Sequence, residues 1–174
     1  MTPKLTIVTG GAKSGKSRFA EGLVAAAAAQ PKVYIATAQA WDEEMRAKIA
    51  AHRLDREGAG WQTIEAPRDV AGALARVNPG AIVLLDCATM WLTNAMLAEA
   101  DLAAELEALL GALAACTAPM VVVTNELGWS IVPDNALARR FRDAQGLLNQ
   151  RLAAQADVVV VVISGLPLAL KGSL

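Results

Sequence analysis

A chain of 174 residues can bury one sizeable core and lies in the single-domain range, so one domain spanning 1–174 is expected. Sixteen Lys and Arg against 17 Asp and Glu leave a formal charge of −1, too little field to draw the protein to nucleic acid or an anionic membrane, so any phosphate recognition has to be local. Much of the 55% hydrophobic content is alanine in segments such as "LVAAAAA" and "LAAELEALLGALAAC", which predicts close helix packing and no membrane span.

In chain order, the leading "MTPKLTIVTGG" is too short for a signal peptide or a span, and a cytoplasmic protein is the expectation. The runs "LTIVTG", "KVYIATA", "AIVLLD", "MVVVTNE" and "DVVVVVISG" are short, β-branched and non-alternating, as central parallel strands covered on both faces should be. Segments of helical period fall between them: Lys16 to Ala29, Asp42 to Arg56, Asp69 to Val77, Leu102 to Cys116 and Asn135 to Ala156. The alternation predicts a three-layer α/β fold around a mostly parallel sheet. The end, "GLPLALKGSL", offers one further edge strand, where Pro167 removes a ladder donor. Cys87 and Cys116 lack metal-knuckle or redox-pair spacing and read as buried reduced thiols.

The first strand runs directly into "GGAKSGKS", Gly10 to Ser17, which has the spacing G-x-x-x-x-G-K-[S/T] and leads into a helical segment. Gly10 and Gly15 permit backbone angles that turn successive N–H groups towards phosphate oxygens, and the helix N-terminus adds partial positive charge. Lys16 would reach the β- and γ-phosphates, and the Ser17 hydroxyl would ligand Mg²⁺. This predicts a P-loop NTPase-like fold of RecA-like type that binds a nucleoside triphosphate. A metal-binding acid belongs at the end of a neighbouring apolar strand, where "AIVLLD" closes on Asp86, although an aspartate there also serves as a helix cap. "TNELG" places Asn125 and Glu126 at the same carboxyl edge. The loop alone leaves ATPase, GTPase, small-molecule kinase and nucleotidyl-transfer chemistry open.

The sole histidine, His52, lies in "KIAAHRLDREG". A lone histidine in a polar segment is ordinarily a solvated side chain. With Asp42 as N-cap, however, Met45, Ile49 and His52 fall on one helical face. Lys48, Arg53 and Arg56 favour the neutral ring that a nucleophile needs, whereas the helix C-terminus favours the cation. Four scattered tryptophans, Trp41, Trp61, Trp91 and Trp129, are ordinarily partly buried packing residues; Trp91 and Trp129 follow strand ends and are the better candidates of the four for ligand or subunit contact.

Taken together, "VTGGAKSGKSRFAE", "VYIATAQAWDEEMRAKIAAHR", "LLDCATMWLTN" and "VTNELGWSIVPDNALARRFRDAQGLLNQRLAAQADVVVVVISGLPLALK" resemble the bifunctional adenosylcobinamide kinase / adenosylcobinamide-phosphate guanylyltransferase family of cobalamin biosynthesis. The resemblance covers nearly the whole chain. It implies phosphorylation of adenosylcobinamide, with ATP or GTP as donor, followed by GMP transfer from GTP to adenosylcobinamide phosphate through a covalent GMP adduct on His52. It also implies GTP contacts at Gly10, Gly11, Ala12, Lys13, Ser14, Gly15, Lys16, Ser17, Thr37, Ala38, Gln39, Arg53, Leu54, Asp55, Arg56, Glu65 and Asp86, with Mg²⁺ at Ser17 and Asp86, and a homotrimer. Lys13 stands where the family pattern suggests arginine, and Asp86 where some members carry glutamate. The competing expectations are a P-loop small-molecule kinase without the guanylyl step and a nucleotide-dependent regulatory switch.

Overall fold

The protein is described from a computed structural model that covers residues 3–40, 43 and 60–173. The predicted helix from Asp42 to Arg56, with His52, lies outside the described residues except for Glu43. The elements in order are β1 (Leu5–Thr9), α1 (Lys16–Ala26), β2 (Lys32–Ala36), β3 (Trp61–Glu65), α2 (Val70–Ala75), β4 (Ile82–Asp86), α3 (Ala88–Leu97), α4 (Leu102–Ala115), β5 (Met120–Val123), α5 (Ala136–Gln155), β6 (Val158–Ile163) and β7 (Leu166–Lys171). The strands form one sheet in the order β3-β2-β4-β5-β1-β6-β7. The first six pair in parallel, and β7 returns antiparallel along β6.

The non-alternating runs become strands buried on both faces because their two side-chain sets enter two separate cores. Ile7, Ile35, Leu85 and Val122 point to one face, where they meet Leu74 of α2, Trp91 of α3, Leu109 of α4 and Leu148 of α5. Val8, Leu84, Val123 and Val160 point to the other, against Ala20 and Val24 of α1. Short polar side chains start three helices by accepting otherwise orphaned N–H groups: Asp69 from Gly72 at 2.8 Å, Asp101 from Ala103 at 3.0 Å and Asn135 from Ala138 at 2.7 Å.

Several expectations need correction. Helix α1 stops at Ala26, three residues short of the expected end: Ala27 is already extended (φ −72°, ψ 143°), and its N–H closes the last turn on the Val24 carbonyl at 3.2 Å. Strand β3, "WQTIE", was not anticipated, because an edge position leaves three of its five side chains exposed and no apolar run to detect. Helix α3, "ATMWLTNAML", was missed as well, since six of its ten residues are buried and polar and apolar positions do not separate by period. Strand β4 is not adjacent to β1, because β5 lies between them. Trp91 is 2% exposed and its indole N–H donates to the Arg68 carbonyl at 3.1 Å, so it is a packing residue and not a ligand contact. Cys87 is buried, as expected, but Cys116 is only half-buried.

Candidate active site

The carboxyl ends of the parallel strands share one edge of the sheet. There, β1 gives way to the Gly10–Ser17 loop and then to α1, with Gly15 (φ 95°) as the residue before the first turn. A methyl group on Gly10 would sit 2.5 Å from the Val162 carbonyl oxygen and 2.6 Å from Ser14 Oγ, and one on Gly15 would press 3.2 Å from Gly165 Cα. Both glycines are thus required by close backbone approach. The loop is fastened from outside as well: Gly165 N–H donates to the Ser14 carbonyl at 2.8 Å, and Glu126 N–H to the Gly10 carbonyl at 3.1 Å. Lys16 Nζ donates to the Gly11 carbonyl at 3.1 Å, which holds the ammonium over the loop. Thr9 Oγ1 and Ser14 Oγ are buried without a partner among the described residues, so the cradle retains unmet polar capacity.

One register row crosses the sheet at this edge: Glu65, Ala36, Asp86, Val123 and Val8 are successive neighbours. Asp86 therefore stands two strand spacings from β1, about 10 Å along the sheet. Tyr34 Oη donates to its Oδ2 at 3.2 Å. Next to it, the Cys87 thiol is pushed up to about 11, first by burial and then by the Asp86 charge, against a lowering from backbone hydrogen bonds of Met90 and Thr89 and, least, from Lys16.

Thr37 is fully buried and ties β2 to the end of β4. Its hydroxyl donates to the Cys87 carbonyl at 2.7 Å and accepts from Cys87 N–H at 2.8 Å. Its carbonyl accepts from Asn94 Nδ2 at 2.8 Å, and its N–H reaches the Asp86 carbonyl at 3.3 Å. The polar groups of Thr37 are engaged inside the protein, while Ala38 and Gln39 beyond it are half-buried and Glu65 is exposed.

A buried polar cluster secures the end of β5. Thr124 Oγ1 donates to Asn149 Oδ1 at 2.7 Å, Gln145 Nε2 donates to both of those oxygens at 2.9 Å, and Asn149 Nδ2 holds the Asn125 carbonyl at 2.9 Å. Beyond it, a groove of about 400 Å³ opens beside Gly11 and Glu126.

Of the expected site residues, Gly10 to Ser17, Thr37 to Gln39, Glu65 and Asp86 lie along this one edge, and Arg53, Leu54, Asp55 and Arg56 lie outside the described residues with His52. The sequence reading missed the Ser164–Gly165 turn that props the loop, whose two positive φ angles (53° and 80°) make it a tight hairpin. The Ser-Gly pair between two apolar runs was the available signal.

A strand entering a glycine-dependent loop at the head of a helix, with an acid closing a strand two places away, defines a P-loop nucleotide-binding protein of RecA-like architecture. Solved structures agree on the fold: the RadB recombinase (TM-score 0.50, 20% identity, 92% of this chain and 74% of that one) and the flagellar accessory protein FlaH of Methanocaldococcus jannaschii (0.53, 14%, 98% and 79%). The family model described as cobinamide kinase / cobinamide phosphate guanyltransferase matches residues 6–170. The chain is 44% identical over 184 residues to the bifunctional adenosylcobalamin biosynthesis protein CobU of Salmonella typhimurium, covering 96% of this chain and 99% of that one. It is 43% identical over 169 residues to CobP of Pseudomonas aeruginosa, with 95% and 96% covered. The chain belongs to the cobinamide kinase / cobinamide phosphate guanyltransferase family and is an enzyme with those two activities.

Proposed function

We propose that residues 1–174 act as one catalytic unit whose single nucleotide-binding edge serves both reactions, with His52 as the covalent carrier of GMP. The observation that carries this reading is the fastened Gly10–Ser17 cradle, with Lys16 held over it and Asp86 closing a strand at the same carboxyl edge. In the first reaction, the hydroxyl oxygen of adenosylcobinamide attacks the γ-phosphorus of ATP or GTP and the nucleoside diphosphate departs. Positioning and charge neutralisation by the loop N–H groups and Lys16 supply most of the rate. In the second, a His52 ring nitrogen attacks the α-phosphorus of GTP and pyrophosphate departs. An oxygen of adenosylcobinamide phosphate then attacks that phosphorus and releases His52, giving adenosylcobinamide-GDP.

Thr37, through its hold on Cys87, would set the position of Asp86, while Ala38, Gln39, Glu65 and Arg53 to Arg56 would border the GTP base and sugar. Ser17 and Asp86 fit Mg²⁺, which needs only one or two protein oxygens when phosphates complete its shell and which would neutralise phosphate charge. Among the described residues, no three His, Cys, Asp or Glu side chains gather into a separate metal cluster, and no helix is long and apolar enough to cross a membrane. A cytoplasmic homotrimer that uses no nucleic acid completes the reading.

Mass spectrometry of the intact protein after GTP treatment tests it. A GMP adduct should map to His52, and His52→Asn should lose the adduct while still phosphorylating adenosylcobinamide. Undiminished GMP labelling of His52→Asn would refute the assignment.

A further inference from the structure

The groove beside the phosphate loop has a composition that nucleotide binding does not use. Gly11 and Glu126 lie at its inner end, and Trp129, Phe141 and Arg142 along its walls. Trp129 is 77% exposed, which is unusual for the largest apolar side chain on a segment held at both ends. At one end Glu126 N–H is bonded to Gly10, and at the other Arg139 Nη1 donates to the carbonyls of Pro133 at 2.9 Å and Asp134 at 2.8 Å. Ala138 and Phe141 also line an apolar trough of about 240 Å³, where Leu97 and Leu137 are more than half exposed. The groove and the trough, which share these two walls, together offer a polar end at the phosphate loop and an apolar end lined by α3 and α5.

We infer that these two adjoining depressions form the acceptor site, a deduction that rests on the proposed function. An acceptor that presents first a hydroxyl and then a phosphate at the tip of a large, partly apolar macrocycle needs this order of surfaces. Trp129 and Phe141 pack against the apolar body, Glu126 faces the hydroxyl, and Arg142 pairs with the phosphate once it has been installed. Glu126 Oε1 accepts from Gly128 N–H at 2.7 Å, which orients the carboxylate at the mouth of the loop. In the kinase step the acceptor oxygen bonds to the γ-phosphorus, its proton passes to Glu126 and the nucleoside diphosphate leaves. Among the described residues Arg142 is held only by Asp143, at 3.4 Å, which leaves guanidinium N–H groups for an anion.

Steady-state kinetics with adenosylcobinamide and with its phosphate as the varied substrates tests the inference. Trp129→Ala should raise KM for both corrinoids about ten-fold or more, leave the nucleotide KM unchanged and recover with Trp129→Phe. Arg142→Gln should raise KM about ten-fold for the phosphorylated acceptor alone, because only that substrate carries the charge. A split of this kind does not arise from loosened folding. Unchanged corrinoid KM values in Trp129→Ala would overturn the inference. So would a rise in nucleotide KM, which would mean the groove seats the base, or dissociation of the oligomer, which would mean a second copy covers it. Failure of the wild-type enzyme to turn over any corrinoid would instead refute the proposed function.

Discussion

Replacing Thr37 with valine preserves volume and branching while deleting one hydroxyl, and the structure allows its cost to be worked out. Two hydrogen bonds to the Cys87 backbone disappear, at 2.7 and 2.8 Å. The Cys87 carbonyl keeps a second donor, Trp91 N–H at 3.2 Å, but the Cys87 N–H loses its partner in a buried site. The hydrogen bond to the carbonyl is worth about 1 kcal/mol, and the orphaned buried donor costs about 1–3 kcal/mol, so the expected destabilisation is about 2–4 kcal/mol. With a urea m-value near 2 kcal/mol/M, the unfolding midpoint should fall by about 1–2 M at fixed protein concentration. Thr37→Ser keeps the hydroxyl and gives up one methyl, a loss of about 1 kcal/mol. The stability order should therefore be wild type, serine, valine. A valine variant within about 0.5 kcal/mol of wild type, or a serine variant less stable than the valine variant, would refute the fastening role. Since Cys87 follows Asp86 directly, the valine variant should also lose kcat in both reactions.

The His52 and Trp129 substitutions above already separate the two activities and the two substrates, and two further tests address the scaffold. Gly10→Ala would push the loop off the Val162 carbonyl, and a displacement approaching 1 Å should lower kcat/KM of both reactions about 100-fold, measured with saturating corrinoid. Cys87, held near 11 against an ordinary 9.0, keeps its proton in the folded chain after the unfolded chain has released it. Its stabilising contribution is therefore complete below pH 9 and is lost as pH rises through 11, by about 2–3 kcal/mol; denaturation curves across that range should show the fall, and Cys87→Ala should flatten it.

What was legible in the sequence was local. β1, the loop and α1 could be read because the glycines, Lys16 and Ser17 must sit at fixed spacings between an apolar run and a helix. The five doubly buried strands could be read because burial on both faces leaves continuous runs, such as "IVLLD". β3 left no such run, since its polar side chains face solvent at the edge. The pairing that puts β5 between β1 and β4 is non-local, and so is the contact of the Ser164–Gly165 turn with Ser14 and Gly15, some 150 residues earlier. Trp91 and Trp129 look alike as residues after strands; their fates diverge because α3 turns the first into the core and the 126–134 segment turns the second outward.

One cradle can serve two reactions at different phosphorus atoms because both load charge onto the same group. In the kinase step the bond that breaks joins the γ-phosphorus to the bridging oxygen of the β-phosphate. In guanylyl transfer the breaking bond joins the α-phosphorus to the oxygen on the other side of that β-phosphate. Negative charge therefore accumulates on the β-phosphate in both transition states, where a P-loop's backbone N–H groups, its lysine and the first turn of its helix concentrate their donors. Within the proposed function, only the direction of attack changes: the acceptor hydroxyl comes from the Glu126 side, and His52 from the sugar side of the nucleotide. A disturbance of Gly10 should for this reason weaken the two reactions in similar proportion. Residues that present the nucleophile should separate them.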